Sequence, residues 1–90
     1  MSRRFLLIDS ETPMIGAWVS VKGCEGHILV SGMKDGDVLR IMPQANGHPN
    51  PEPVLVLTNQ ANGEHRAELV SQFVRAIREG SAGRVTCQVK

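Results

Sequence analysis

The sequence predicts an all-β domain, a small Ig-like or jelly-roll sandwich of about seven to eight short strands. Three observations carry that expectation. Val85-Thr86-Cys87-Gln88-Val89 alternates apolar and polar residues, the period of a half-buried strand. It follows Phe73–Arg78 across the small-residue turn Glu79-Gly80-Ser81-Ala82-Gly83, so the two runs read as a closing hairpin. Turn signals recur about every 8 to 12 residues along the chain, the spacing of a sandwich or barrel.

Taken in order, Arg4–Asp9 is a short apolar run suited to a strand, interrupted after it by Pro13. From Ile15 to Lys22 the alternation sets Ala17, Val19 and Val21 against Trp18, Ser20 and Lys22. Gly23–Gly26 makes a turn, and His27–Ser31 follows with Ile28 and Val30 on one side. Gly32–Gly36 is a loop with glycine at both ends. Asp37–Met42 is a strand with Leu39 and Ile41 inward and Arg40 outward. Pro43–Pro53 holds four of the five prolines and cannot sustain a ladder, so it reads as an exposed loop. Val54–Leu57 is uniformly apolar and β-branched, which favours a buried strand, and Asn59–Gly63 turns again.

The segment from Glu64 to Arg78 supports two readings. Ala67, Val70, Phe73 or Val74, and Ile77 recur at helical spacing, with Asn62 as cap and Gly80 as stop, giving an α+β alternative with one helix at about 64–78. The same residues divide into a hairpin, Arg66–Leu69 and Phe73–Arg78, which is the reading adopted.

Ninety residues form one domain, 1–90, with 1–12 as an N-terminal arm. A chain of this size buries only about 60% of its unfolded surface, so self-association is expected to add stability. The net charge of +1 provides no field to concentrate nucleic acid or anionic lipid. With aromatic residues limited to Phe5, Trp18 and Phe73, the stacking platform of single-strand binders is lacking. Neither a nucleic acid nor a membrane is expected as partner.

No catalytic, cofactor-binding or metal-ligating set is expected. His27, His48 and His65 lie in separate segments and read as solvated side chains. Asp35-Gly36-Asp37 lacks the further oxygens of a calcium loop and reads as a turn capping its own backbone. Cys87 alternates with Val85 and Val89, so it is expected in the core, and Cys24 on an exposed turn; a bridge between them is left open. Arg75, Arg78 and Arg84 would form a basic edge on the closing hairpin, able to meet a partner's carboxylates. Arg3, Arg4 and Phe5 would form an arm that adds to a neighbour's sheet.

The order Gly16-Ala17-Trp18-Val19-Ser20-Val21, then Val30-Ser31-Gly32-Met33-Lys34-Asp35-Gly36-Asp37-Val38-Leu39-Arg40-Ile41, then Phe73-Val74-Arg75-Ala76 with Gly83-Arg84-Val85-Thr86-Cys87-Gln88-Val89 resembles small β-sandwich virion proteins of tailed bacteriophages. The resemblance implies a non-enzymatic structural protein, a capsid decoration (cement) protein first and a tail or baseplate accessory subunit second. It implies contact with major capsid or other virion subunits and a homo-oligomer, with a trimer favoured, made in the host cytoplasm. Candidate contact residues are Arg3, Arg4, Phe5, Trp18, Phe73, Arg75, Arg78 and Arg84. The chain departs from the family at Phe73, where a larger aromatic is common, and in the helical spacing from Glu64 to Ile77. A carbohydrate-binding module is the alternative from another class, resting on Trp18.

Overall fold

The computed structural model describes residues 4–44, 51–69 and 71–90. Nine strands appear among them: β1 (Phe5–Ser10), β2 (Met14–Ile15), β3 (Val19–Ser20), β4 (His27–Ser31), β5 (Val38–Pro43), β6 (Leu55–Thr58), β7 (Gly63–Arg66), β8 (Phe73–Glu79) and β9 (Val85–Val89). They form two antiparallel sheets. One has the order β1-β9-β4-β7; in the other, β8 lies between β5, itself flanked by β6, and an edge shared by β2 and β3. The all-β sandwich expected from the alternation is the fold, and the described residues between Gly63 and Glu79 form strands and no helix, although the first of these strands is Gly63–Arg66 and not the expected Arg66–Leu69.

Strand order decides between the two sandwich types. Counting β2 and β3 as one interrupted strand, successive strands alternate between sheets except for the β5–β6 pair in the second sheet, the arrangement of a jelly roll. An immunoglobulin sandwich would instead pair its first two strands side by side in one sheet. Just past β2 the two sheets come close together. Gly16 donates its N–H to the Ala76 carbonyl at 2.8 Å, and a Cβ there would stand 2.9 Å from the Leu7 carbonyl. The backbone of both sheets closes on this point, so only glycine fits.

The core lies between the sheets. Ile28, Val30, Val85, Cys87 and Val89 from the first sheet face Leu39, Ile41, Leu57, Val74 and Ala76 from the second. Between Leu6 and Ile8 a bulge in β1 lets Leu7 and Ile8 both enter the core, although they are adjacent in sequence. Residues 5–10 are therefore an integral strand of the sheet and not part of a free arm. Burial pushes the Cys87 thiol up to about 12, consistent with its place as a small core residue. Cys87 is a free thiol, and Cys24 is half-buried rather than exposed.

The closing hairpin does not form. β8 pairs with β2, β3 and β5, whereas β9 pairs with β1 and β4, so Gly80–Gly83 carries the chain from one sheet to the other. Similarly, β7 pairs with β4 and not with β8. A hairpin would leave the turn in solvent, but an arch between sheets brings its backbone against the end of the sandwich, where its polar groups need partners. Two buried polar side chains supply them. Asp37 accepts hydrogen bonds from the Ser81 N–H (2.8 Å), the Ser81 hydroxyl (3.0 Å) and the Lys34 N–H (2.8 Å). Arg78, 2% exposed, donates through Nη2 to the Ser81 and Gly83 carbonyls and through Nη1 to the Ser10 carbonyl. One guanidinium thus ties the β1–β2 connection to the β8–β9 connection. The loop reading of Asp35–Asp37 holds in this form, since Asp37 closes its own turn onto Lys34.

Pro43 lies inside β5 opposite Val74 and is buried, so the irregular stretch begins after it; residues 45–50, with His48, and Val70 lie outside the described residues. In β6 only Leu57 is buried, because this strand is an edge with one covered face.

Candidate partner-binding face

The outward-facing side chains of the two sheets differ in character. Register places Ile15, Ile77, Arg40 and Val56 in one row across the outer face of the second sheet. A second row holds Arg75 and Met42, and Trp18 joins it by lying against Arg75, whose guanidinium carbon is 4.2 Å from the indole centroid. Phe73 and Ser20 lie opposite each other beyond it. Ile15 is 61% exposed, Val56 48% and Trp18 38%. Such a cluster of large apolar groups on an outer face is the pattern of an interaction surface rather than of scattered surface hydrophobes. Its charges are accounted for: Arg40 Nη1 meets Glu79 Oε1 at 2.5 Å, and Arg75 is laid over Trp18.

The outer face of the first sheet is polar by comparison. Leu6, Gln88, Leu29 and Glu64 form one row, with Asp9, Thr86 and Ser31 beside them. Arg84 grips Asp9 through Nε and Nη2, both at 3.0 Å, and this bond, with the Arg84 charge, lowers the Asp9 carboxyl below its usual range. His27 sits between Glu64 (2.8 Å) and Glu25 (3.3 Å). Among the described residues no group of three His, Cys, Asp or Glu side chains is placed to hold a metal ion.

The residues expected as contacts separate accordingly. Trp18, Phe73 and Arg75 come together on the apolar face. Arg78 does not: it alternates with Arg75 along β8, so it shares the inward side with Val74 and Ala76 and is a buried structural group. Arg84 lies on the opposite sheet, paired with Asp9, because β8 and β9 belong to different sheets. The basic edge therefore does not exist. Phe5 packs half-buried against the core opposite Val89, Arg4 is exposed ahead of β1, and Arg3 lies outside the described residues. The sequence reading missed Ile15, Met42, Val56 and Ile77. Their signal was in β8, where Phe73 and Ile77 are apolar on the side opposite Val74 and Ala76, a strand apolar on both faces.

Comparison with protein-family models, with curated proteins and with solved structures gives no match.

Proposed function

We propose that this chain is a non-enzymatic structural component of a tailed-phage virion, a capsid decoration protein that docks on major capsid subunits through the outer face of its second sheet. The observation that carries this is the row Ile15–Ile77–Arg40–Val56 with Trp18 and Arg75 beside it, a large apolar patch on a small domain. Burying such a patch at a subunit junction is favourable at about 25 cal/mol per Å² of apolar area before ordering costs, and Trp and Arg are the residues that most often dominate docking energy. Jelly rolls recur in capsids, an association of fold that supports the reading by analogy alone. Many copies, each adding a modest contact, raise the temperature at which a shell ruptures, because ligands that bind only the intact state stabilise it.

A tail or baseplate accessory subunit shares this fold and differs in where it docks. The carbohydrate-binding alternative has less support, since the Arg75 guanidinium occupies one of the two faces of the indole on which a sugar would stack. Cosedimentation with undecorated shells of the phage that encodes the chain tests the proposal. Saturable binding with a raised shell rupture temperature is expected; binding to isolated tails and not to shells would transfer the chain to the accessory class.

A further inference from the structure

Every open sheet leaves edges, and this chain guards three of its four strand edges with charge, a bulge or a break. The β7 edge carries Glu64, His65 and Arg66. The β1 edge is bulged between Leu6 and Ile8 and bracketed by Arg4 and Asp9. The edge made by β2 and β3 is broken between Ile15 and Val19 and preceded by Pro13. These are the devices by which sheets avoid pairing with other chains. The remaining edge, β6, carries neither charge nor bulge: Val54-Leu55-Val56-Leu57-Thr58-Asn59-Gln60-Ala61 contains no charged residue, its pairing with β5 has no register shift, and Pro51 and Pro53 both precede the strand. Among the described residues no strand pairs with its outer side.

The register shows which backbone groups that side offers. Gln44 N–H bonds to the Phe73 carbonyl, continuing the β5–β8 ladder, so Val38, Arg40 and Met42 direct their N–H and C=O groups toward β8. Leu39 and Ile41 consequently face β6, and the bond from Asn59 N–H to the Asp37 carbonyl continues that ladder. Leu55 and Leu57 are therefore bonded to β5, while Val56 and Thr58 turn their backbone groups outward.

We propose that two copies of this chain pair antiparallel along β6, with the two-fold axis at Val56. In this register the two Val56 residues exchange backbone hydrogen bonds and inward-facing Leu55 stands beside Leu57, while the Val54 N–H stays bonded to the Ile41 carbonyl of its own β5. Side chains of one face meet side chains of the same face, and no like charges are brought together, so the edge is complementary to itself as an isologous interface requires. The outer row then continues across the axis from one copy to the other, with the two Val56 side chains at its centre and an Arg40 on either side of them. The association is two-fold, in place of the trimer that the family resemblance suggests. It goes beyond the virion reading and does not depend on it.

Light scattering on the full chain from micromolar to millimolar concentration should give twice the 9.8 kDa chain mass. Val56→Lys sets two ammonium groups against each other at the axis and should return the mass to that of one chain, with unchanged circular dichroism. Val56→Cys in a Cys24→Ser background should form a disulfide-linked dimer under mild oxidation, since hydrogen-bonded pairs place Cα atoms about 5.5 Å apart. Leu6→Cys in the same background should not. A monomer or trimer throughout, a dimer that survives Val56→Lys, or a Val56→Cys dimer that does not cross-link would overturn the proposal.

Discussion

Arg75 lies over the ring of Trp18, its guanidinium carbon 4.2 Å from the indole centroid, and this pair spans the β3 edge and β8 of the apolar outer face. The stack holds both side chains flat on the sheet, Trp18 from the edge beside β3 and Arg75 from central β8. A half-exposed cation–π contact is worth about 0.5–1 kcal/mol. Arg75→Gln is therefore expected to lower stability by no more than about 1 kcal/mol. Because the chain has a single tryptophan, emission reports this site alone, and the substitution should alter it while the unfolding midpoint in urea changes little.

Arg78 should behave in the opposite way. Its guanidinium satisfies carbonyls of Ser10, Ser81 and Gly83, and its removal strands them at the end of the core. Arg78→Met is expected to cost about 3 kcal/mol, a large share of the stability of a domain this small. Urea denaturation followed by circular dichroism measures the loss. Equal midpoints for Arg78→Met and the native chain would remove the staple from the account.

Asp37 links that end of the sandwich to pH. Hydrogen bonds from Lys34 first, then from Ser81, together with the Arg78 charge, outweigh the opposing cost of burial and hold its carboxyl below the usual range. The folded state thus binds fewer protons than the unfolded chain near the carboxylate range, so stability rises with pH there. The contribution is complete above the unfolded value of about 3.9 and disappears as pH falls through the lower folded value. Asp37→Asn should be less stable than the native chain at neutral pH, and the gap between their urea midpoints should close below about pH 4.

Cys87 is expected to be inert in the folded protein. Burial in the core, opposite Val30 and Ile8 on the neighbouring strands, leaves its thiol protonated, pushed up to about 12, and closed to reagents. In a Cys24→Ser background, thiol labelling at neutral pH should proceed only at the rate of unfolding and accelerate in urea.

The elements that alternate cleanly were legible in the sequence. His27–Ser31 and Val85–Val89 form the strands read from their spacing, and Ile28, Val30, Leu39 and Ile41 are core residues as their parity requires. The errors concern partners more than strands, although the strand expected at Arg66–Leu69 lies at Gly63–Arg66 and the run from Ile15 to Lys22 is broken between Ile15 and Val19. Glu79-Gly80-Ser81-Ala82-Gly83 has the length and glycines of a hairpin turn, and local residues carry no mark that the next strand joins the other sheet. That information lies in Asp37, which is 44 positions from Ser81, its acceptor role visible only in three dimensions. Arg78 was assigned to the surface because arginine seldom lies inside, although its parity with Val74 and Ala76 placed it there. The apolar outer face was hidden for a related reason: Ile15, Met42, Val56 and Ile77 come from β2, β5, β6 and β8, and only strand order brings them into neighbouring rows.

The central claim is that the outer face of the second sheet is the surface that docks. Cosedimentation of Ile15→Asp and of Leu6→Asp with undecorated shells tests it most directly, since Ile15 and Leu6 are comparably exposed on opposite sheets, at 61% and 52%. The account predicts at least a tenfold loss of binding, about 1.4 kcal/mol, for Ile15→Asp and native binding for Leu6→Asp. Native binding by Ile15→Asp, or a loss confined to Leu6→Asp, would contradict it.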